Sequence, residues 1–298
     1  MRRWVAGAVL MLCQVGWAQM APTTYHVGAV RVTEEAEQIV VHADPPIKIE
    51  SFNAGHTWPL LSLDEDGHIY VGSTVISPAD GRVLSHTEGR STSLLALPYG
   101  VHVGVEPGGY RIVQGHSSCL FSARKLGING SKTALEALKD GNVIFAPSNR
   151  GIVAMVTQWG SDERVGKYLT TFIQMDRCRT SQTNLGNPDL LVELNASRRG
   201  GWWITGSIEQ TLLRSVEGVR WRRMKLPKGL GSLVSSYVVD DKEIWLAAYL
   251  AEDMDDTLGV VYSGDGGRHW RALRKGDPQL RRLPKGWLEG HTRVKSPE

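Results

Sequence analysis

The chain has 298 residues, with 34 Lys and Arg set against 31 Asp and Glu, a formal net charge of +3 at pH 7. So small a positive excess excludes nucleic acid as the main partner, because a polyanion is held by many uncompensated cations. Neither Cys-x-x-Cys nor His-Glu-x-x-His occurs among its 3 cysteines and 9 histidines, so no metal site and no cofactor is read from spacing.

The amino terminus has the pattern of a signal peptide. Arg2 and Arg3 precede an apolar run from Val5 to Val15, and Gly16-Trp-Ala18 offers small residues for cleavage near Gln19. That run is about a dozen residues, short of the roughly 20 that cross a bilayer. No other segment is apolar enough, so no stable membrane span is expected. Residues 1–18 are read as signal and residues 19–298 as one domain, periplasmic or secreted. Removing 1–18 leaves Cys119 and Cys178. In an oxidising compartment they are a candidate disulfide; the alternative is two separate buried thiols.

Beyond the signal, short runs rich in Val, Ile, Leu, Trp and Tyr alternate with Gly, Asp, Asn and Pro, and no long 3.6-residue apolar period occurs. Tyr25 to Val32 and Gln38 to His42 read as early strands, expected to join the region 280–287 in a blade shared by the termini. Five runs then look like one element repeated: Gly67 to Gly72, Gly100 to Val105, Gly141 to Ala146, Gly201 to Gly206 and Lys242 to Ala247. Each follows an apolar run read as its inner neighbour: Leu60–Leu63, Leu94–Leu97, Ala134–Leu138, Leu190–Leu194 and Val234–Val239. A third strand tends to follow, as at Gly109–Val113 and Gly151–Val156. The wide gap before Gly201 suggests an insertion within 159–167 or 180–188.

Repeats of roughly 40 to 45 residues, each too thin to bury its own faces, suggest wedges stacked in a ring. The expected fold is all-β, a propeller of five to six blades. A β-sandwich fits the strand content but not the repeat.

The most specific motif is Ser263-Gly-Asp265-Gly-Gly267-Arg-His-Trp270, between the apolar run 258–262 and Arg271–Leu273. Gly264, Gly266 and Gly267 suit a tight turn with positive φ, Asp265 can accept backbone N–H groups, and Trp270 can cover the hairpin. Ser263, Asp265, Gly267 and Trp270 match every defined position of Ser-x-Asp-x-Gly-x-x-Trp, and the segment resembles the Asp-box, or BNR repeat. A degenerate copy, Ser215-Val-Glu217-Gly218-Val-Arg-Trp221, has Glu for Asp and is one residue shorter. The resemblance implies a β-propeller with Asp-box hairpins in the last two repeats, each between third and fourth strands.

The same resemblance includes sialidases and assembly-factor propellers that bind other proteins. Sialidases add an Arg-Ile-Pro motif and an arginine set that clamps a carboxylate. Here the nearest match, Arg111-Ile-Val113, lacks the Pro, and no such set can be assembled. Asp64–Asp66 and Glu252–Asp256 read as solvated turns rather than catalytic pairs. His68 and His102 occupy matching places in neighbouring repeats and read as blade packing, not ligands. The basic run Arg220, Arg222, Arg223 and Lys225 reads as a solvated blade edge. Trp203 and Trp245 are expected to pack between blades, with Trp202 on the face opposite Trp203. Trp58, Trp159 and Trp287 fall near loops, where they either pack or contact a ligand.

No catalytic residue is assigned. The reading is an exported, non-catalytic propeller that binds another envelope or secreted protein, as an assembly factor, inhibitor or immunity-type protein does. The alternative is a carbohydrate-active enzyme, a glycoside hydrolase, or a sugar-binding propeller of the sialidase-like class.

Overall fold

The computed structural model describes residues 23–27, 30–34, 38–42, 46–50, 61–63, 68–71, 74–77, 79–86, 94–128, 133–139, 142–159, 166–206, 209–250, 258–273 and 277–279. The signal-like segment 1–18, Trp58, Trp287, the acidic runs 64–66 and 252–256, and the stretch 280–287 lie outside the described residues.

The described strands form six four-stranded sheets, each an antiparallel meander of strands consecutive in sequence. The first holds β1 (Thr23–Val27), β2 (Val30–Glu34), β3 (Gln38–His42) and β4 (Ile47–Glu50). The second holds β5 (Leu61–Leu63), β6 (Ile69–Val71), β7 (Thr74–Ile76) and β8 (Val83–His86). The third holds β9 (Leu94–Leu97), β10 (Val101–Glu106), β11 (Gly109–Gln114) and β12 (Ser117–Ser122). The fourth holds β13 (Val143–Ser148), β14 (Gly151–Trp159), β15 (Gly166–Gln174) and β16 (Arg179–Gly186). The fifth holds β17 (Leu191–Ser197), β18 (Gly201–Gly206), β19 (Thr211–Ser215) and β20 (Arg222–Arg223). The sixth holds β21 (Leu230–Val238), β22 (Ile244–Leu250), β23 (Leu258–Ser263) and β24 (Arg271–Leu273).

Successive sheets meet along their early strands. β6 packs on β9, the turn Pro98–Gly100 on β13, β13 on β17, and β17 and β18 on β21. The five sheets from β5 to β24 thus follow one another as the blades of a five-blade β-propeller arrangement. The β1–β4 sheet repeats the same meander. Its strands pair with one another, and the stretch 280–287, expected to share this blade, lies outside the described residues.

Strand alternation builds the core between sheets. In β18, Trp202 and Ile204 join the cluster shared with the fourth sheet, while Trp203 joins the one shared with the sixth. In β22, Ile244, Leu246 and Ala248 face the fifth sheet, and Trp245 and Ala247 face the other way with Val260 and Leu273. Between the third and fourth sheets, Tyr110, Phe121, Phe145 and Ile152 share a further cluster, and the Tyr110 and Phe145 rings meet edge to face at 5.4 Å.

That cluster also holds a second correction. Ala134–Leu138, expected to be an inner strand, lies in a short helix, α1 (Ala134–Lys139), and supplies Ala134, Ala137 and Leu138 to the cluster. Its start is a reciprocal cap. Thr133 Oγ1 accepts from Glu136 N at 3.2 Å, and Glu136 Oε2 accepts from Thr133 N at 2.7 Å. The run Gly141–Ala146 therefore contributes the first strand of its blade, β13, rather than the second. The wide spacing before Gly201 follows from this offset and from the length of β14, β15 and β16, which have 9, 9 and 8 residues.

Cys119 and Cys178 are disulfide-bonded, with their Cα atoms 5.5 Å apart. The bond ties the outer strand β12 of the third sheet to the turn between β15 and β16 of the fourth. Cys178 sits in that turn at φ +48° rather than in a strand. Among the described residues no helix is long and apolar enough to cross a membrane.

Candidate functional site

The two motif hairpins connect the third and fourth strands of the last two blades: 215–221 between β19 and β20, and 263–270 between β23 and β24. They differ in how far their polar groups are satisfied.

In the second hairpin Ser263 Oγ accepts from Gly267 N at 2.9 Å and donates to Asp265 Oδ1 at 3.0 Å. Asp265 Oδ1 also accepts from Arg268 N at 3.1 Å and His269 N at 2.9 Å, and Oδ2 meets His269 Nδ1 at 2.5 Å. Trp270 folds back so that Nε1 donates to Gly267 O and to Lys225 O, both at 3.1 Å. Gly266 and Gly267 take positive φ, +78° and +84°, which a side chain would resist; Gly264, expected to do the same, does not. The His269 backbone N–H, then its ring, hold the Asp265 carboxyl well below the ordinary carboxylate value of 3.8.

The first hairpin has a shorter turn and not the same bonds. Gly218 takes φ +76°. Yet Ser215 Oγ and Trp221 Nε1, both shielded from solvent, have no hydrogen-bond partner among the described residues. The hairpin is anchored from outside instead: Thr183 Oγ1 donates to Val219 O at 2.6 Å and Arg150 Nη1 to Val216 O at 3.2 Å.

Between the hairpins lies an open groove of about 610 Å³. The first hairpin and its flanks supply Arg214, Val216, Glu217, Arg220, Trp221 and Arg222; the second supplies Asp265, Gly266 and Arg268; the β21–β22 turn supplies Asp241. That turn is itself braced. Asp240 Oδ1 accepts from Lys242 N and Glu243 N at 2.8 and 2.9 Å, and Gly266 N donates to Lys242 O at 2.8 Å. Those backbone bonds hold the Asp240 carboxyl below its usual range.

Arg214 is the unusual member. It projects from β19 with a side chain 0% exposed, donating through Nε to Gly200 O at 3.0 Å and through Nη2 to Asp241 Oδ1 at 2.7 Å. Asp241 is 78% exposed. Nη1 has no partner among the described residues. Burial pushes the guanidinium's pKa down, opposed chiefly by Asp241.

No family model matches the sequence, and no curated protein matches it. Among solved structures, a streptogramin B lyase is 11% identical over 85% of this chain and 82% of its own, with a TM-score of 0.43. YCF48 bound to D1 peptide is 10% identical, over 88% and 83%, at 0.39. Dihydro-heme d1 dehydrogenase NirN in complex with DHE is 9% identical, over 86% and 66%, at 0.37. Likeness this remote assigns neither an activity nor a ligand to this chain.

The sequence singled out both hairpins, and the structure brings Glu217, Trp221 and Asp265 to one groove. Ser263, Gly267 and Trp270 brace its second wall, and Gly218 turns its first. Arg222 and Arg220, read as blade edge, are exposed and face the groove, while Arg223 turns toward Glu209. Arg214, Asp241 and Arg268 were missed. Cys119 and Cys178 lie on the third and fourth sheets, away from the groove. Trp159, expected near a loop, is the last residue of β14, opposite Gly166. His68 and His102 both line a smaller cavity of about 280 Å³ between the second and third sheets, with Tyr70 and Leu97. Among the described residues no group of three or more His, Cys, Asp or Glu converges as a metal site would require.

Proposed function

We propose that this chain is an exported, non-catalytic β-propeller that binds another envelope or secreted protein through the groove between its last two blades. One observation carries the reading: two of the three acids facing the groove are already engaged by the protein's own donors. Asp265 holds two backbone N–H groups and a ring nitrogen, and Asp241 sits on a buried arginine. Hydrolytic work needs a free acid and a free base placed across a cleft. Here Asp265 braces its own hairpin and Asp241 sits on Arg214, and a braced hairpin makes a rigid surface for recognition.

Export rests on the signal-like residues 1–18 and agrees with a disulfide between blades. The bonds of Ser263, Asp265, Gly267 and Trp270 support reading that hairpin as an Asp-box, with Ser215, Glu217, Gly218 and Trp221 as its degenerate partner, in one domain spanning 19–298.

Photo-crosslinking tests the proposal. Val216, 39% exposed at the groove, is replaced by benzoylphenylalanine in the full chain and irradiated in its host, with Leu120, 58% exposed on another blade, as control. The expected result is a discrete protein adduct in the envelope fraction from position 216 alone. No adduct, or the same adducts from both positions, overturns the reading.

A further inference from the structure

We infer that the groove seats an acidic side chain of the bound segment, with Arg214 as its anchor. The inference depends on the protein-binding reading for the source of the carboxylate, but not for the site itself.

Two residues that line the groove each carry a shielded donor with no acceptor among the described residues, Arg214 at Nη1 and Trp221 at Nε1. A guanidinium and an indole can only donate, so whatever completes them must accept. A buried donor without an acceptor is costly, and a buried guanidinium more so. Three further arginines, Arg220, Arg222 and Arg268, face the same space and favour an anion.

Asp241 shows which anion. Its carboxylate already sits on Arg214 Nη2, but it is exposed at the rim and leaves Nη1 without an acceptor among the described residues. An arginine fork suits a carboxylate with two oxygens. Because Nη1 is shielded, the incoming carboxylate replaces Asp241 rather than adding to it. The arginines are spread over both hairpins, so several acidic side chains in a row engage more of them than a single chain terminus does. Glu217 shares the groove and opposes any anion; Asp265 opposes it less, its oxygens being already held.

The test follows the indole N–H signals of the full chain during titration with an acetylated, amidated tetraglutamate peptide. The Trp221 signal is identified by its loss in Trp221→Phe. The expected result is a saturable shift of that signal, absent with tetraglutamine. Arg268→Gln weakens binding about threefold or more. Asp241→Ala, by removing the resident competitor, tightens it by about tenfold, an estimate for one charge-assisted pair.

A merely structural Asp241 predicts weaker or unchanged binding in that variant, and either result overturns the inference. So does a still Trp221 signal, an equal response to tetraglutamine or inorganic phosphate, or tetra-alanine with a free terminus binding as well. Arg268→Gln alters an exposed residue and leaves Arg214 and Asp241 in place, so the test does not rest on Asp241→Ala alone, which takes an acceptor from a buried guanidinium. A crosslinked partner without tetraglutamate binding retires the carboxylate and keeps the protein-binding reading. Tetraglutamate binding without an adduct does the reverse.

Discussion

Trp202 and Trp203 are adjacent in β18 and hydrogen-bond to different blades. Trp202 Nε1 donates to Ala146 O of β13 at 2.9 Å, and Trp203 Nε1 donates to Ser236 O of β21 at 2.9 Å. Each ring also meets an aromatic edge from the blade it reaches, Phe172 at 5.6 Å and Tyr237 at 5.7 Å. One dipeptide therefore couples three consecutive blades, through the strand rule that sends neighbours to opposite faces.

Truncating either ring removes a fully buried side chain and its hydrogen bond to the neighbouring blade. Trp202→Ala and Trp203→Ala are each expected to destabilise by about 3–5 kcal/mol. Trp202→Phe keeps most of the apolar contact but removes the hydrogen bond to Ala146 O, at a cost of about 0.5–1.5 kcal/mol. Urea unfolding followed by fluorescence checks the order Ala worse than Phe. Equal losses would mean that the hydrogen bond, not the packing, ties the blades.

The disulfide couples a different pair of blades. It closes a loop with a sequence separation of 59, which in the chain-entropy account stabilises by about 4 kcal/mol. The double variant Cys119→Ala with Cys178→Ala is expected to unfold at lower denaturant than the oxidised protein and at the same concentration as the reduced one. A variant as stable as the oxidised form would show that the packing of β12 on the β15–β16 turn suffices.

Much of this fold is visible in the pattern of turns and apolar runs. The runs beginning near Gly67, Gly100, Gly201 and Lys242 are second strands, as their shared form suggests. The one near Gly141 misleads because Ala134-Leu-Glu-Ala-Leu138 is apolar but too short to reveal a period. Its distinguishing mark was local: Thr133 three residues before Glu136, a capping box. The groove was less legible. Arg214 lies inside the run Thr211–Ser215, all of it buried, where nothing in the spacing marks a buried cation whose carboxylate partner is 27 positions on. Whether Trp221 bonds its own hairpin depends on how that shorter turn closes, which composition alone does not set.

The cap on α1 gives a milder prediction. Thr133→Ala removes the acceptor for Glu136 N and is expected to cost about 1 kcal/mol. Tyr110→Phe acts on the same helix from the core, since Tyr110 Oη donates to Ala134 O at 2.6 Å in a buried site. Amide exchange at Ala137 and Leu138 should accelerate in both variants more than exchange in β22, four strand connections or more away from the helix. Uniform acceleration would mean that the helix opens only with the whole chain.

The Asp265 hairpin predicts how the last blade answers acid. Its carboxyl titrates lower in the folded chain than the ordinary 3.8, because the ionised form collects the His269 N–H, the His269 ring and the Ser263 hydroxyl. A group depressed in this way stabilises the fold fully above its unfolded value, and that stabilisation drains as pH falls through the folded value. Asp265→Asn removes the charge and keeps one acceptor oxygen. The variant should therefore be less stable than the parent at neutral pH, and the gap should close as pH drops from about 4 downward. Asp80 and Asp240 are depressed as well. Their acid sensitivity is common to both proteins and cancels in the difference. Thermal melts of the pair between neutral and strongly acidic pH measure that difference. A gap that stays constant through the acid range would show that the hairpin is held by the Ser263 and Trp270 bonds, without help from the Asp265 charge.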